Sequence, residues 1–472
     1  MYDVAIIGAG ISGCLIAHRL SKYNLKVAVF EKDNDVAEGA SGANSAIIHS
    51  GHDPLDNTLK ARFNVEGNRM YESLCDEIGA AFKRIGALVV AVSEKEAEAL
   101  DILYNRARSR DIECEMLDGK KAHEIEPNLS DDVIKALSLP TTGIVTPWEV
   151  CINAMEEAIL NGVDLYLETA INNLTYDGIY HLNDIYEAKV IIDAAGVYAD
   201  DIYNLLGECR YHINPRKGEY FILDHSSDKL VTKIIYPLPS EKGKGVLVVP
   251  TVHENILLGP NSDFTEKKDD LGTSEALEYV RNNVRKTVKN IDFSKVIHTY
   301  AGLRPSGDLH DFVIEEDEKY KGFIHVACIE SPGLASAPAI ARYVVNELVL
   351  PKFNTEVKSE YKHRKKHINM NELTLDEKNQ IIHEDGDYGK IICRCEKISL
   401  GEIKDVIHRP LGAKTIKAIK RRVRPGMGAC QGGFCEPLVF NILKKELNLD
   451  EKAITYDGEG SNIVTSKAKE LL

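Results

Sequence analysis

The sequence lacks the features that mark membrane-spanning and secreted proteins. Among its 472 residues, no run reaches the roughly 18 consecutive apolar residues that a spanning helix needs. The N-terminal stretch MYDVAIIGAG shows no basic segment followed by a uniform apolar segment and a cleavage site. We therefore expect a cytoplasmic protein without a transmembrane segment, and a peripheral membrane association through a complex stays open.

Cysteine and net positive charge are scarce as well. Ten cysteines are too few for a disulfide scaffold, and a reducing compartment would leave their thiols free for metal binding or catalysis. Asp and Glu number 73 against 58 Lys and Arg, a net charge of −15, which argues against nucleic-acid binding and against adsorption on an anionic membrane. The length suffices for two or three domains with a large core.

The first residues carry a dinucleotide-binding fingerprint. The apolar run YDVAII is followed by GAGISG, then by a stretch with helical spacing, then by the strand-like KVAVFE. Gly8 permits a tight turn, Gly10 lets the backbone approach a pyrophosphate, and Gly13 lets helix and strand pack closely. Glu31 stands where an acid accepts hydrogen bonds from a ribose. FAD is favoured over NAD because there is one fingerprint, and IIDAAGVYAD (191–200) has the form with which flavoproteins return to the flavin.

Five stretches follow one another as they do in a known family of flavoproteins. They are SGANSAIIHSGHDPLDNTLKARFNVEGNRMY (41–71), IIDAAGVYAD (191–200), GKGVLVVPTVHENILLGPNS (243–262), AGLRP (301–305) and ESPGLASAPAIA (330–341). Together they resemble the compact bacterial FAD-dependent glycerol-3-phosphate dehydrogenases and oxidases, within the glycine-oxidase and D-amino-acid-oxidase-like superfamily. L-2-hydroxyglutarate oxidases are related and share NSxxIHxG. The resemblance is more specific for the superfamily than for the substrate.

The resemblance covers about residues 1–350 and implies an α/β fold, α+β overall. A Rossmann-like FAD-binding domain is expected from segments at about 1–80, 145–205 and 295–350. An antiparallel-sheet substrate domain, from about 81–144 and 206–294, is expected to be interleaved with it.

Four residues are candidates for catalysis and substrate binding. His49 alone would suit a structural hydrogen bond, but the matching histidine of the resembling enzymes lies beside the flavin, which implies a base that takes a proton from the alcohol. Arg304 faces the substrate in that family, where a guanidinium fork holds a phosphate or carboxylate. Lys244 is either a second cation for a phosphate or a solvated strand end. Tyr220 either hydrogen-bonds the substrate or packs.

The resemblance also implies a set of FAD contacts. Backbone amides at the start of the helix after ESPGL would stabilise negative charge on the flavin ring. The backbone around Ile171 would lie near the adenine. The predicted FAD contacts are Gly8, Gly10, Gly13, Glu31, Lys32, Ser41, Asn44, Ser45, Ile171, Ala195, Gly196, Gly302, Ser331, Gly333 and Leu334.

The last part of the chain contains a compact cysteine motif. Residues 351–389 are charged and predict a linker with one short helix, before a small domain at 390–450 and a tail at 451–472. Cys393 and Cys395 are separated by 34 residues from Cys430 and Cys435. Three interpretations of these cysteines are a disulfide pair, a structural zinc site and a [2Fe–2S] cluster. The sequence pattern CRCE…GACQGGFC resembles that of the small helical [2Fe–2S] domain of bacterioferritin-associated ferredoxin, which favours the cluster.

These expectations combine into one reaction, the oxidation of sn-glycerol 3-phosphate to dihydroxyacetone phosphate. Electrons would pass from FAD through the cluster to an electron-accepting protein or a quinone-linked subunit. The basic stretch KTIKAIKRRVR is either a solvated helix face or a docking patch for that acceptor. Two alternatives remain: an FAD-dependent 2-hydroxyacid dehydrogenase, such as one for L-2-hydroxyglutarate, and a scaffold subunit of a larger dehydrogenase complex.

Overall fold

The structure is a computed structural model that describes residues 1–225, 230–238 and 245–466. The chain divides into two compact units. The first comprises Met1–Lys32 and Val36–Tyr361, and the second comprises Asp33–Asp35 and the chain from Lys362 onward. Among the described residues, no helix is both long and apolar enough to cross a membrane.

The first unit mixes helices with strands throughout its length. Its elements in chain order are β1 (Tyr2–Ile7), α1 (Ile11–Leu20), β2 (Val27–Phe30), β3 (Ile47–Ile48), α2 (Leu59–Ile78), β4 (Phe82–Arg84), β5 (Ala87–Ala91), α3 (Glu94–Ser109), β6 (Glu115–Asp118), α4 (Gly119–Ile125), β7 (Lys135–Leu139), β8 (Gly143–Val145), α5 (Pro147–Leu160), β9 (Asp164–Tyr166), β10 (Leu174–Tyr176), β11 (Tyr180–Leu182), β12 (Tyr186–Asp193), α6 (Ala199–Asn204), β13 (Arg216–Leu223), β14 (Ile234–Pro237), β15 (Leu247–Pro250), β16 (Ile256–Gly259), β17 (Asp263–Phe264), α7 (Ala276–Val284), β18 (Val296–Arg304), β19 (Val313–Glu316), β20 (Phe323–Ala327) and α8 (Gly333–Tyr343).

A sheet with a parallel centre carries the dinucleotide fingerprint. Its strand order is β10-β11-β12-β1-β2-β9, with β20 added to β12 and β19 to β20. Strands β1, β2, β9, β12 and β20 pair in parallel, and β1 and β2 are buried runs of β-branched and other apolar residues, as parallel sheets require. The carboxyl ends of β1 and β12 therefore meet at one edge, where open α/β sheets bind their ligands.

A second sheet, mostly antiparallel, is built from the middle of the chain. Its order is β17-β13-β16-β15-β14-β5-β7-β6, and β18 pairs with β13. Only the β5–β14 pair is parallel among its described strand pairs. Alternate residues face two separate apolar cores, one that includes residues of α3 and one that includes residues of α4 and α7. The parallel and antiparallel sheets confirm the predicted fold class. Strand β18, which the sequence placed in a flavin segment, is hydrogen-bonded along β13 of this sheet.

A small three-stranded sheet, β3-β8-β4, leads the chain toward the predicted catalytic residue. Both residues of β3 are buried, and the next residue is His49. Helix α2 packs closely on α8 because Gly67 has no side chain: a Cβ there would lie 2.1 Å from the Ala335 carbonyl oxygen. The segment from β3 to α2 is thereby held from both ends.

The second unit is a small, mainly helical domain. Its elements are α9 (Leu375–Glu384), β21 (Ile391–Cys393), β22 (Ile398–Ser399), α10 (Leu400–Ile407), α11 (Ile416–Val423) and α12 (Glu436–Glu446). Capping boxes open α9 at Thr374 and α10 at Ser399, which confirms the sequence interpretation of SLGE. The expected linker at 351–389 stays a prediction: its residues up to Tyr361 group with the first unit, and the rest groups with the second.

The basic stretch KTIKAIKRRVR forms α11 and its flanks, and several of its cations have partners inside the unit. Lys417 pairs with Asp457, and Arg424 Nε lies 3.0 Å from Glu396 Oε2. Burial lowers the pKa of Lys420 below its ordinary value. The two ion pairs lie within the domain itself and burial disfavours the charged form of Lys420, which weakens the interpretation of the stretch as a docking patch.

Candidate active site and candidate iron–sulfur centre

The loop between β1 and α1 forms a cradle that side chains would fill. Gly8 has φ +101°, and a Cβ there would lie 2.5 Å from the Ala194 carbonyl oxygen. A Cβ on Gly13 would lie 2.0 Å from the Gly8 carbonyl oxygen, so α1 packs directly on the loop. Gly10 precedes the first residue of α1, and its side-chain position faces Ser41 Oγ at 3.2 Å. The loop therefore leaves its backbone open to a ligand at the N-terminus of a helix.

Two predicted FAD contacts hold this loop in place. Glu31 is buried directly after β2, and its Oε2 accepts a 2.7 Å hydrogen bond from the Ala9 N–H. Ser41 is buried as well, and its Oγ accepts a 2.8 Å hydrogen bond from the Ile11 N–H. The structure thus brings both residues to the glycine loop. Their contacts with FAD stay a prediction.

Replacing Gly13 with alanine is expected to reduce bound FAD and to lower the free energy of unfolding by about 1–3 kcal/mol, because the new methyl group overpacks the loop. The measurements are flavin absorbance per mole of protein and the thermal midpoint. Gly39→Ala is the matched control, since a Cβ at Gly39 meets nothing within 4 Å. Equal flavin content in the two variants would contradict the role given to the loop.

The end of β12 adds a second approach to the same edge. The Ala195 N–H donates to Asp193 Oδ1 at 3.2 Å, and Gly196 has open space at its side-chain position. Burial raises the pKa of the Asp193 carboxyl well above its ordinary value and so favours its neutral form. Asp193 Oδ2 is buried without a hydrogen-bond partner among the described residues. This orphaned atom and the open glycine cradle fit a bound dinucleotide such as FAD.

The other predicted contacts on this side lie in two different environments. Ile171 is buried in the apolar core beside the parallel sheet. Lys32 is exposed, and its Nζ lies 5.3 Å from the centre of the Tyr198 ring. Lys32 follows β2 and Ile171 follows β9 along the chain, and their contacts with FAD stay a prediction.

The segment before β3 touches the antiparallel sheet at predicted positions. A Cβ on Gly302 of β18 would lie 1.9 Å from the Ala43 carbonyl oxygen, so strand and segment are in direct contact. The Asn44 carbonyl oxygen accepts a 2.7 Å hydrogen bond from the Tyr300 hydroxyl. Ser45 is half-buried next to it. The structure therefore brings Gly302, Asn44 and Ser45 together.

The start of α8 has the predicted form of a glycine turn followed by a helix. Ser331 is exposed, and Gly333 is the first residue of the helix. The Leu334 carbonyl oxygen accepts a 2.6 Å hydrogen bond from the Tyr71 hydroxyl of α2. These contacts fix the helix start, and stabilisation of flavin charge by its amides stays a prediction.

His49 is buried, and it is held by a tyrosine that no sequence motif singled out. Its Nδ1 lies 2.9 Å from the Tyr236 hydroxyl of β14. Its backbone carbonyl accepts hydrogen bonds from the side-chain amides of Asn64 and Asn68, at 2.7 and 3.1 Å. Ring and backbone of His49 are therefore both positioned.

The Tyr236 hydrogen bond bears on the tautomer of His49 and therefore on which ring nitrogen can act as a base. Burial, with a smaller contribution from Asp53, raises the pKa of Tyr236 well above its ordinary value, so the hydroxyl stays neutral. In the tautomer whose Nδ1–H donates to the Tyr236 oxygen, the ring lone pair is on Nε2, which is the form that can accept a proton there. The arrangement suits proton removal at Nε2.

Arg304 and Tyr220 lie on neighbouring strands of the antiparallel sheet. Arg304 ends β18, and its guanidinium approaches Ser262 Oγ at 3.4 Å and the Asn261 carbonyl oxygen at 3.2 Å. The ring of Tyr220 stacks on that of Tyr300, with centroids 4.6 Å apart. The ring of Tyr220 therefore packs in the sheet, and a hydrogen bond from its hydroxyl to substrate stays a prediction. Lys244 lies outside the described residues.

The four predicted cysteine ligands lie in the second unit. Cys393 ends β21 rather than lying in a turn, and Cys435 directly precedes α12. Both are buried, Cys430 is half-buried and Cys395 is exposed. Burial and the neighbouring Cys393 raise the pKa of Cys435 to about 12, so without a bound metal this thiol is protonated.

The thiols are arranged as two pairs. Cys395 Sγ lies 3.8 Å from Cys430 Sγ, and Cys393 is hydrogen-bonded to Cys435. A single tetrahedral metal with bonds of about 2.3 Å would place all four sulfurs about 3.8 Å apart. Among the described residues, however, the one group of three or more His, Cys, Asp or Glu ligand atoms within 4.8 Å of one another is His18, Glu77 and Glu157. The four cysteine sulfurs therefore do not form such a group. Two separated pairs fit a two-iron cluster, with two thiolates on each iron, better than one zinc ion.

Backbone amides surround Cys430 in the pair formed with Cys395, which we call the outer pair. Burial opposes ionisation of Cys430, but hydrogen bonds from the Gly432 N–H, the Cys395 thiol and the Phe434 and Gly433 N–H groups outweigh it, and the pKa of this thiol lies below its ordinary value. Phe434 itself is 84% exposed. Amide dipoles directed at a sulfur stabilise a negatively charged cluster.

Comparison with known proteins identifies two family matches. The family model described as FAD dependent oxidoreductase matches residues 3–347. The model described as BFD-like [2Fe-2S] binding domain matches residues 391–445, which include all four cysteines.

Individual relatives resemble the chain over different lengths. A glycerol 3-phosphate dehydrogenase of Caloramator mitchellensis is 45% identical, and the match covers 99% of each chain. The mitochondrial L-2-hydroxyglutarate dehydrogenase of Caenorhabditis briggsae is 31% identical, over 74% of this chain and 93% of its own. The structure of dithionite-reduced L-alpha-glycerophosphate oxidase from Mycoplasma pneumoniae with FAD bound matches with a TM-score of 0.74 at 28% identity, over 77% of this chain and 98% of that one.

Proposed function

The chain belongs to the FAD-dependent oxidoreductases, and on that premise we propose that it is a glycerol-3-phosphate dehydrogenase that oxidises sn-glycerol 3-phosphate to dihydroxyacetone phosphate. The observation that carries the proposal is the glycerol 3-phosphate dehydrogenase that is 45% identical over 99% of both chains. That match covers nearly the whole chain, whereas the matches to a glycerol 3-phosphate oxidase and an L-2-hydroxyglutarate dehydrogenase cover 73% and 74% of it.

His49 and Arg304 have the chemistry that this reaction needs. We assign to His49 Nε2 the removal of the C2 hydroxyl proton, with Nδ1–H held by Tyr236. Arg304 holds the substrate phosphate through its guanidinium fork. Bound FAD supplies the acceptor for the two electrons and the hydrogen that leave C2. Residues of the β1–α1 loop, with Glu31, would hold FAD.

The cysteine domain gives the electrons a route out of the enzyme. Cys393, Cys395, Cys430 and Cys435 would hold the [2Fe–2S] cluster, which carries electrons one at a time. An exposed Cys395 places the outer pair of thiols at the surface of its unit. We propose an electron-accepting protein or a quinone-linked subunit as the recipient.

Anaerobic reduction tests the substrate directly. Glycerol 3-phosphate is expected to bleach the flavin absorbance of the purified holoenzyme, whereas L-2-hydroxyglutarate at the same concentration leaves it unchanged. The reason is that the relative whose match covers 99% of both chains is a glycerol 3-phosphate dehydrogenase. Bleaching by L-2-hydroxyglutarate alone would replace the proposed substrate, and no bleaching by either would favour a scaffold subunit.

A further inference from the structure

Two arginines stand directly opposite each other in the antiparallel sheet. In the β13–β18 ladder, Arg216 pairs with Arg304, so both side chains leave the same face of the sheet. Directly opposite residues in such a ladder have Cβ atoms about 4.5–5.5 Å apart, and like charges directly opposite each other are destabilising. A negative charge beside the pair would relieve that repulsion.

The chain itself does not supply that charge within its described residues. Arg216 stacks its guanidinium 4.5 Å from the centre of the Phe264 ring, and its Nε is buried without a hydrogen-bond partner there. The polar partners of the Arg304 guanidinium are Ser262 Oγ and the Asn261 carbonyl oxygen, both uncharged. Neither arginine forms an ion pair with a carboxylate of the described chain.

The next cation along β13 shows the contrast. Lys217 points to the opposite face of the sheet, where its Nζ lies 3.0 Å from Asp270 and 3.8 Å from Glu219. Both cations are on one strand, one residue apart. The fold neutralises Lys217 with two acids and leaves the arginine pair uncompensated.

The face that carries the arginine pair is also the face that positions His49. Ile222 and Tyr300, which alternate in step with Arg216 and Arg304, pack against the same core as Tyr236, whereas Phe221 belongs to the core on the other side. Tyr236 holds His49. The two guanidiniums and the proposed base therefore belong to one side of one sheet.

We propose that Arg216 is a second phosphate-binding residue and that, with Arg304, it selects a phosphate ester as substrate. This inference rests on the proposed function. A phosphate ester carries nearly two negative charges and three acceptor oxygens at pH 7, so it can satisfy two guanidinium forks. A single carboxylate has one charge and two oxygens and leaves one arginine uncompensated. Arg216 thus favours phosphate esters over hydroxy acids that present one carboxylate to this site.

The test compares Arg216→Gln with Arg216→Lys in the holoenzyme, using an artificial dye as electron acceptor. Loss of a charge-assisted hydrogen bond is expected to raise the KM for glycerol 3-phosphate about 10- to 100-fold, with kcat little changed. Lysine retains the charge but not the fork, so it is expected to restore part of the loss. Arg281→Gln is the matched control, since this arginine lies on the far helix α7, 3.9 Å from Glu278. Bound flavin per protein verifies that each variant is folded.

Binding of inorganic phosphate separates this inference from the proposed function. Calorimetry is expected to show at least about tenfold weaker phosphate binding to Arg216→Gln than to the unmodified enzyme. An unchanged KM and unchanged phosphate affinity would overturn the role of Arg216 while leaving the proposed function intact. If the unmodified enzyme is not reduced by glycerol 3-phosphate but loses phosphate affinity in Arg216→Gln, the anion site stands and the substrate is another phosphate ester.

Discussion

Replacing His49 with alanine is expected to slow anaerobic flavin reduction by glycerol 3-phosphate about 10²- to 10⁴-fold, the usual contribution of a general base. The variant lacks the group that takes the C2 hydroxyl proton, while the glycine loop that would hold FAD is unaltered. Stopped-flow absorbance of the flavin measures the rate, and the unreacted spectrum measures cofactor content. KM is expected to change little, because the phosphate contacts remain.

Two further variants show whether His49 acts as a base or only packs. His52→Ala is the matched control: this buried histidine is three residues away and also packs against the Tyr236 ring, but it is hydrogen-bonded to Ser50. Tyr236→Phe removes the partner of His49 Nδ1 and should cause a smaller loss than His49→Ala. A His49→Ala enzyme that reduces its flavin as fast as the His52→Ala enzyme would refute the assignment.

Replacing Cys435 with alanine is expected to abolish the [2Fe–2S] cluster and leave flavin reduction by substrate intact. The substitution removes one thiol of the buried pair Cys393 and Cys435. Cys393 is then left without the second sulfur of its ligand pair. Iron should fall from about two atoms per FAD to near zero, together with the electron paramagnetic resonance signal of the reduced cluster. Electron delivery to a one-electron protein acceptor should fall with it.

The cysteines elsewhere in the chain provide the comparison. Cys114→Ala changes a half-buried thiol of the first unit and should retain the full iron content. Zinc in place of iron in the purified protein, in a ratio of one per chain, would contradict the two-pair arrangement. A Cys435→Ala protein with two irons would contradict the assigned ligands.

Local sequence patterns were enough to predict several elements of the fold. The glycines at 8 and 13 and the acid at 31 lie close together because strand, turn and helix are consecutive in the chain, and this geometry depends on spacing alone. The capping box at Ser399 is likewise a contact between residues three apart. The four cysteines predicted a metal centre by type and spacing, but not how they divide into pairs.

The resemblance to a flavoprotein family predicted positions but not their surroundings. It selected His49 and Arg304 but did not single out Tyr236 or Asp193. Nothing in the sequence distinguished Arg216 from the other residues of a predicted strand. Tyr220 was left open between substrate and packing, and the structure shows it stacked on Tyr300. Such contacts depend on strand register, which alternating patterns do not specify across long loops.

By itself the sequence determined the dinucleotide loop and the fold class and offered four cysteines as candidate metal ligands, because these depend on local motifs and residue types. Only the tertiary structure decided what surrounds the chemistry. The His49–Tyr236 hydrogen bond joins residues 187 positions apart, and the Arg216–Arg304 pair depends on the register of two strands from distant segments. The charges and hydrogen-bond partners at the site follow from packing of the whole first unit, and no local pattern contains that information.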